Sequence, residues 1–161
     1  MSENRSVAPQ AVPPHAQLIQ MAAASWVAAT VYAAAKLGLA DHLVTGPRSA
    51  EELAGTTRTH APSLHRLMRT LAGLGILAER DAQRFALTPL GEALQTGSPG
   101  SARATLIAFC GPAFWHSWEE MLYSLETGNT GFEKAHGMPL FEYLAQHPEE
   151  ASYFSEAMVG Y

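Results

Sequence analysis

Hydrophobic and polar positions divide the chain into helical stretches separated by short breaks. From Ala16 to Lys36 the run AQLIQMAAASWVAATVYAAAK contains no Gly or Pro and is rich in alanine, the best helix former. It spaces Leu18, Met21, Trp26, Val27, Val31 and Tyr32 around much of a helix. A helix apolar over so much of its surface has to be covered, and a partner chain would serve. A short helical piece, LGLADHLV, follows and is broken at Gly46-Pro47. The residues ahead of this helix, 1–15, are polar and carry Pro9, Pro13 and Pro14, the composition of a flexible tail.

Ser49-Ala-Glu-Glu52 has the form of a capping box, in which the Ser49 hydroxyl accepts from the amide three residues on while Glu52 reaches back to the Ser49 amide. After the polar link GTTRT, Pro62 marks a second helix start, and Leu64, Leu67, Met68, Leu71 and Leu74 recur at helical spacing. Gly73 and Gly75 end it. Residues 76–80 and 84–88 then read as two short strands joined at Asp81-Ala-Gln83. Two helices followed by a hairpin make a winged helix-turn-helix.

The remainder reads as helical. Thr88-Pro89, Ser98-Pro99 and Gly111-Pro112 each place a capping or turn residue before a proline suited to a first helical turn, which predicts three helices. The third carries Phe114, Trp115, Trp118, Met121, Leu122 and Leu125 and runs to Gly128. Residues 128–137 read as a loop, PLFEYLAQHP as a short helix, and PEEASYFSEAMVGY as the beginning of another, with acidic residues in its first turn. The stripe of Phe154, Met158 and Tyr161 in that last helix meets no stop signal, so the chain reads as part of a larger protein. The expected fold class is mainly α, with one short β-hairpin in a winged helix. The expected organisation is a tail at 1–15, a winged-helix domain at 16–110 whose first helix calls for a partner chain in a dimer, and a helical segment at 111–161.

Composition narrows the function. With 161 residues, 47% of them hydrophobic, the chain can bury a core without staples. Ten Lys and Arg against fifteen Asp and Glu give a net charge of −5, which disfavours a surface built to attract phosphates. One cysteine, Cys110, permits no intrachain disulfide, and the start lacks the basic-then-apolar order of a signal peptide. The apolar stretch Met21–Ala35 is short for a bilayer span, so a cytoplasmic protein without membrane contact is expected.

Candidate chemistry is sparse. The one Gly-x-Gly, Gly73 and Gly75, follows a helix and precedes a strand, the reverse of a nucleotide-binding turn, and reads as a helix cap. The seven histidines are scattered, with only His116 and Glu119 sharing a helical face, so no metal site is expected. Cys110, in the apolar run LIAFC, reads as an inert thiol. Arg66 and Arg69 on the second helix and Arg80 and Arg84 beside the hairpin tip suit phosphate contacts, which makes a stand-alone DNA-binding or partner-binding regulator the alternative reading. The exposed positions of that helix offer few side chains for base edges, which counts against DNA. The aromatic stripes read either as ordinary core or as the wall of a flat apolar pocket.

The order of these motifs resembles a known family. AAAKLGLADHL, SAEELAGTT, SLHRLMRTLAGLGILAE and RFALTPLGEAL, followed by the tryptophan helix, TGNTGFEKAHGMPLFEYL and FSEAM, are similar to the amino-terminal half of S-adenosylmethionine-dependent O-methyltransferases. These are the caffeate and acetylserotonin type and their bacterial relatives in polyketide tailoring. The resemblance covers residues from about 16 to 161. It implies a homodimer intertwined through the helix of residues 16–36, and a substrate-covering role for Phe109, Phe114, Trp115, Trp118, Phe154, Met158 and Tyr161. It also implies that S-adenosyl-L-methionine and the histidine base belong to a following Rossmann-like domain, so that this chain alone carries no cofactor site and no catalytic residue. The small aromatic substrate would be met in the full-length enzyme.

Overall fold

The computed structural model describes residues 12–159. Helix α1 (Pro14–Lys36) opens the fold, with Pro14 in its first turn, where the missing N–H costs nothing. It therefore starts two residues before Ala16, and residues 1–11 of the expected tail lie outside the described residues. Only Ala34 and Ala35, near its end, are buried. Leu18, Ile19, Met21 and Trp26 remain 66–76% exposed, so the first part of the apolar stripe of α1 finds no cover among the described residues. At 23 residues and a mean hydropathy of 1.4 over its most apolar window, α1 is long and apolar enough to cross a bilayer, which the stretch Met21–Ala35 alone understates. Its Ala34 end nevertheless joins the main hydrophobic core, where α1 packs on the second, fourth and sixth helices.

That core is built by α2 (Leu39–Leu43), α3 (Ala50–Thr57), α4 (Ala61–Gly73) and a small sheet of β1 (Arg48–Ser49), β2 (Leu77–Arg80) and β3 (Arg84–Leu87). The sheet order is β1-β3-β2, antiparallel throughout, with Glu79 opposite Phe85 and Arg48 opposite Phe85 on its other side. The hairpin β2–β3 is the one expected. Strand β1 is additional, because two residues are too few to show alternation in a sequence. Leu53, Met68, Leu71 and Phe85 are completely buried here. The capping box forms as expected: Ser49 Oγ accepts from Glu52 N at 3.3 Å, and Glu52 Oε2 accepts from Ser49 N at 2.7 Å. Leu74 and Gly75, the latter at φ +75°, close α4.

Helices α5 (Pro89–Glu92), α6 (Arg103–Phe109), α7 (Pro112–Glu119), α8 (Met121–Thr127), α9 (Gly131–His136), α10 (Leu140–Gln146) and α11 (Pro148–Val159) complete the described chain. Three expectations need correction. Ser98-Pro99 starts no helix: Gly97 and Gly100, both at positive φ, make it a turn in which Ser101 N donates to Ser98 O, and α6 begins at Arg103. The tryptophan helix is broken at Glu120, where α9 docks so closely that a Cβ on Gly131 would lie 2.8 Å from Ser117 O. The expected loop 128–137 contains α9, which Thr130 caps through its hydroxyl and Gly137 ends at φ +72°.

Candidate substrate-facing wall

Gly111 sets the geometry of the wall. A Cβ there would fall 2.5 Å from Ile107 O, so only glycine lets the chain turn this tightly from α6 into α7. The turn brings Phe109, at the end of α6, against Phe114 on α7, edge to face with centroids 5.0 Å apart. Helix α11 packs on α6 and adds Phe154, which lies 6.0 Å from Phe109 and stacks on Phe114 at 6.3 Å with the rings nearly parallel. Three of the seven expected wall residues thus meet in one cluster.

The others fall differently. Trp115 is half-buried on α7. Trp118, 62% exposed, lines an open apolar hollow with Phe114, Met121 and Phe132. Met158, 50% exposed, lines a second hollow with Phe141 and Phe154. Tyr161 lies outside the described residues.

The structure also gathers aromatic groups that sequence reasoning missed. Phe132 sits 6.0 Å from Phe114, and Tyr143 lies 5.4 Å from Phe132, edge to face. His136, 4.4 Å from the Phe132 ring, bonds through Nε2 to Ala113 O at 2.8 Å, so α9 is pinned to α7. The aromatic residues in GFEKAH and LFEYL were a signal, but a short helix buries its few apolar positions without a full period to reveal them.

Between α1, α6, α7 and α11 lies a cavity of about 200 Å³, more enclosed than the two hollows. Phe114, Phe154, Ile107 and Leu140 wall it, and Tyr32, Lys36, Glu149, Glu150 and Tyr153 supply its polar lining. Lys36 and Glu149 form an ion pair joining α1 to α11. The Lys36 hydrogen bond and charge hold the Glu149 carboxyl below its ordinary pKa. Burial works against the Lys36 ammonium, yet the hydrogen bond and charge of Glu149 outweigh it and raise its pKa. The Tyr153 ring lies beneath two cations, Lys36 Nζ at 5.1 Å and Arg103 at 5.6 Å from its centroid. Burial, then the nearby Glu150, pushes the Tyr143 phenol up; Tyr143 donates to Glu150 Oε1 at 3.2 Å.

The remaining candidates stand apart from this wall. Burial alone raises the pKa of the half-buried Cys110, which favours the unreactive thiol. Among the described residues no group of three His, Cys, Asp or Glu is placed to hold a metal. Of the arginines weighed for nucleic acid, Arg84 is bonded to Glu52 at 2.5 Å and Arg66 to Ser63 Oγ at 3.2 Å, while Arg69 and Arg80 are exposed.

A mainly helical region with a winged helix, a long first helix exposing apolar residues over its first half and an aromatic wall is the architecture of a subunit-joining domain. Residues 19–97 match the O-methyltransferase dimerisation domain. The chain is 41% identical over its whole length to the phenazine O-methyltransferase PhzM of Lysobacter antibioticus, of which it covers 46%. It is 37% identical over 95% of its length to the 3-amino-4-hydroxybenzoate 4-O-methyltransferase of Streptomyces cremeus, covering 42% of that protein. Its structure superposes with a TM-score of 0.87 on the N,N-8-amino-8-demethyl-D-riboflavin dimethyltransferase RosA of Streptomyces davawensis, at 35% identity, over 92% of this chain and 45% of that one. The chain belongs to the O-methyltransferase dimerisation-domain family and corresponds to the amino-terminal part of these enzymes. It spans less than half the length of the curated relatives it matches.

A further solved relative, the methyltransferase CalO1 of calicheamicin biosynthesis, 36% identical with a TM-score of 0.77 over 91% of this chain and 44% of that one, holds S-adenosyl-L-homocysteine, the demethylated form of the donor S-adenosyl-L-methionine. The residues described here do not fit that donor: the only described sheet is antiparallel with strands of four residues or fewer, and Gly73-Leu-Gly75 closes a helix instead of opening one after a strand.

Proposed function

We propose that this chain is the dimerisation and substrate-covering region of an S-adenosyl-L-methionine-dependent methyltransferase acting on an aromatic or polyketide-like small molecule, with a hydroxyl as the acceptor. The observation that carries the reading is α1, whose Leu18, Ile19, Met21 and Trp26 stay exposed on a helix anchored only at its far end. A twofold partner covers such a face with the same face or with its own core, and forms the homodimer. The Phe109, Phe114 and Phe154 rings pack edge to face and stacked, half-buried and flanked by the exposed Trp118 and Met158, which suits the cover of a planar ring. Donor binding and proton transfer belong to residues outside this chain.

Sedimentation equilibrium of the chain tests the reading. The expected species has twice the 17.3 kDa of one chain. Trp26→Glu, with charge placed in the centre of the apolar face, should weaken association by at least about thirtyfold, the effect of losing an interface anchor. A monomer of the unsubstituted chain at micromolar concentration overturns the proposal.

A further inference from the structure

Among the described residues, helix α1 is buried at one end. Ala34 and Ala35 lie in its last turn, whereas the exposed Leu18, Ile19, Met21 and Trp26 begin about 14 Å back along the axis. A helix is a rigid element over that length, so a second copy that grips the Trp26 end also fixes the direction of the Ala35 end.

Three helices meet at that end. Arg103, the first residue of α6, is half-buried and donates from Nε to Ala35 O at 3.1 Å. Its charge therefore sits at the C-terminal end of α1, where the helix dipole favours a cation. The same guanidinium lies 5.6 Å from the centroid of the Tyr153 ring on α11. Among the described residues no carboxylate pairs with Arg103, so the partners of its guanidinium are the end of α1 and a ring of α11. Lys36 crosses between the same two helices, 5.1 Å from the Tyr153 centroid and paired with Glu149. That ion pair is exposed, and such pairs hold little on their own.

The residues after Tyr153 give the joint its consequence. Phe154 stacks on Phe114, and Met158, one turn further on, lines the open hollow. Helix α11 already packs on α6, with Ala104 and Ala157 buried, so the fold holds it without Arg103. What Arg103 adds is a link from α11 to the helix that joins the subunits.

We propose that Arg103 is a positioning residue that couples subunit pairing to the substrate cover: through Ala35 O and Tyr153 it sets α11, and with it Phe154 and Met158, by the direction in which a second copy holds α1. This role rests on the proposed dimeric, substrate-covering function and adds the joint between its two parts.

The test is NMR of the full chain, following the Phe154 ring and the Met158 methyl while sedimentation equilibrium fixes the fraction of dimer. In the unsubstituted chain both resonances should shift as dilution dissociates the dimer. In Arg103→Leu and, separately, in Tyr153→Leu, that shift should be lost over the same change in the fraction of dimer. Arg103→Lys, which keeps a cation for Tyr153 and a donor for Ala35 O, should retain it. Resonances that stay in place when the unsubstituted dimer dissociates would overturn the coupling and leave the dimer standing. A shift that persists in both leucine variants, or an equal loss in Arg103→Lys, would overturn it as well. A chain that is monomeric at every concentration would overturn the dimeric function itself, and the coupling with it.

Discussion

Phe114 and Phe154 lie parallel, 6.3 Å apart and 6° from coplanar orientation, and they join α7 to α11 across the wall. Both are half-buried, whereas Trp118 and Met158 on the same two helices are 62% and 50% exposed. Phe114→Ala should therefore lower stability by about 2–3 kcal/mol, somewhat less than for a fully buried phenylalanine. Trp118→Ala and Met158→Ala should each change it by under about 0.5 kcal/mol. Chemical denaturation of the three variants measures the difference. A large loss for Trp118→Ala would make it a packing residue and remove it from the proposed substrate cover.

Glu52 ties the winged helix together twice, accepting from Ser49 N through Oε2 and from Arg84 Nη2 through Oε1. The backbone hydrogen bond of Ser49, then Arg84, hold its carboxyl below the ordinary 4.5. A carboxyl with a lowered folded-state pKa contributes stability that is fully present above its unfolded value and is lost as pH falls through the folded one. Stability should thus be flat down to about pH 5 and decline below pH 4.5, and the acid limb should be shallower in Glu52→Gln. Urea midpoints across that range check the slope. Ser49→Ala, which removes the other half of the box, should cost about 1 kcal/mol at neutral pH.

Phe85 is completely buried, with the His65 ring edge-on at 5.7 Å, and it is the strand residue around which α3 and α4 close. Phe85→Ala should cost about 3–5 kcal/mol by cavity formation. Thermal unfolding followed by circular dichroism would show it, and a loss under about 1 kcal/mol would mean that the wing is not packed as described.

The hairpin tip carries backbone strain that a substitution can relieve. Ala82 and Gln83 both adopt left-handed φ values, +56° and +57°, which disfavour a side chain. Gln83→Gly should raise stability by up to about 1 kcal/mol, the gain in the folded state being partly offset by greater freedom of the unfolded chain. A lower melting temperature would show that the tip is not left-handed at this residue.

Local signals carried the first half of the fold. The capping box at Ser49, the leucine period of α4 and the glycine stop at Gly75 each act over four to ten residues, so they are legible from neighbours along the chain. The motif order from Ala16 onward likewise pointed to the family. The same locality explains the misses. Strand β1 exists only because Arg48 and Ser49 pair with β3, and the break at Glu120 accompanies the docking of Gly131 against Ser117 O; both depend on residues remote from the affected segment.

At the wall, the aromatic residues available could be read along each segment, because helical spacing and composition are local properties. Helix packing alone makes Phe109, Phe114 and Phe154 converge while Trp118 and Met158 stay exposed, and brings Tyr32 and Lys36 of α1 to one cavity with residues 149–154. The wall contacts of Phe154 span 40 positions or more, and those of Lys36 with Glu149 more than a hundred. The angles between packed helices set them, and no local period encodes those angles.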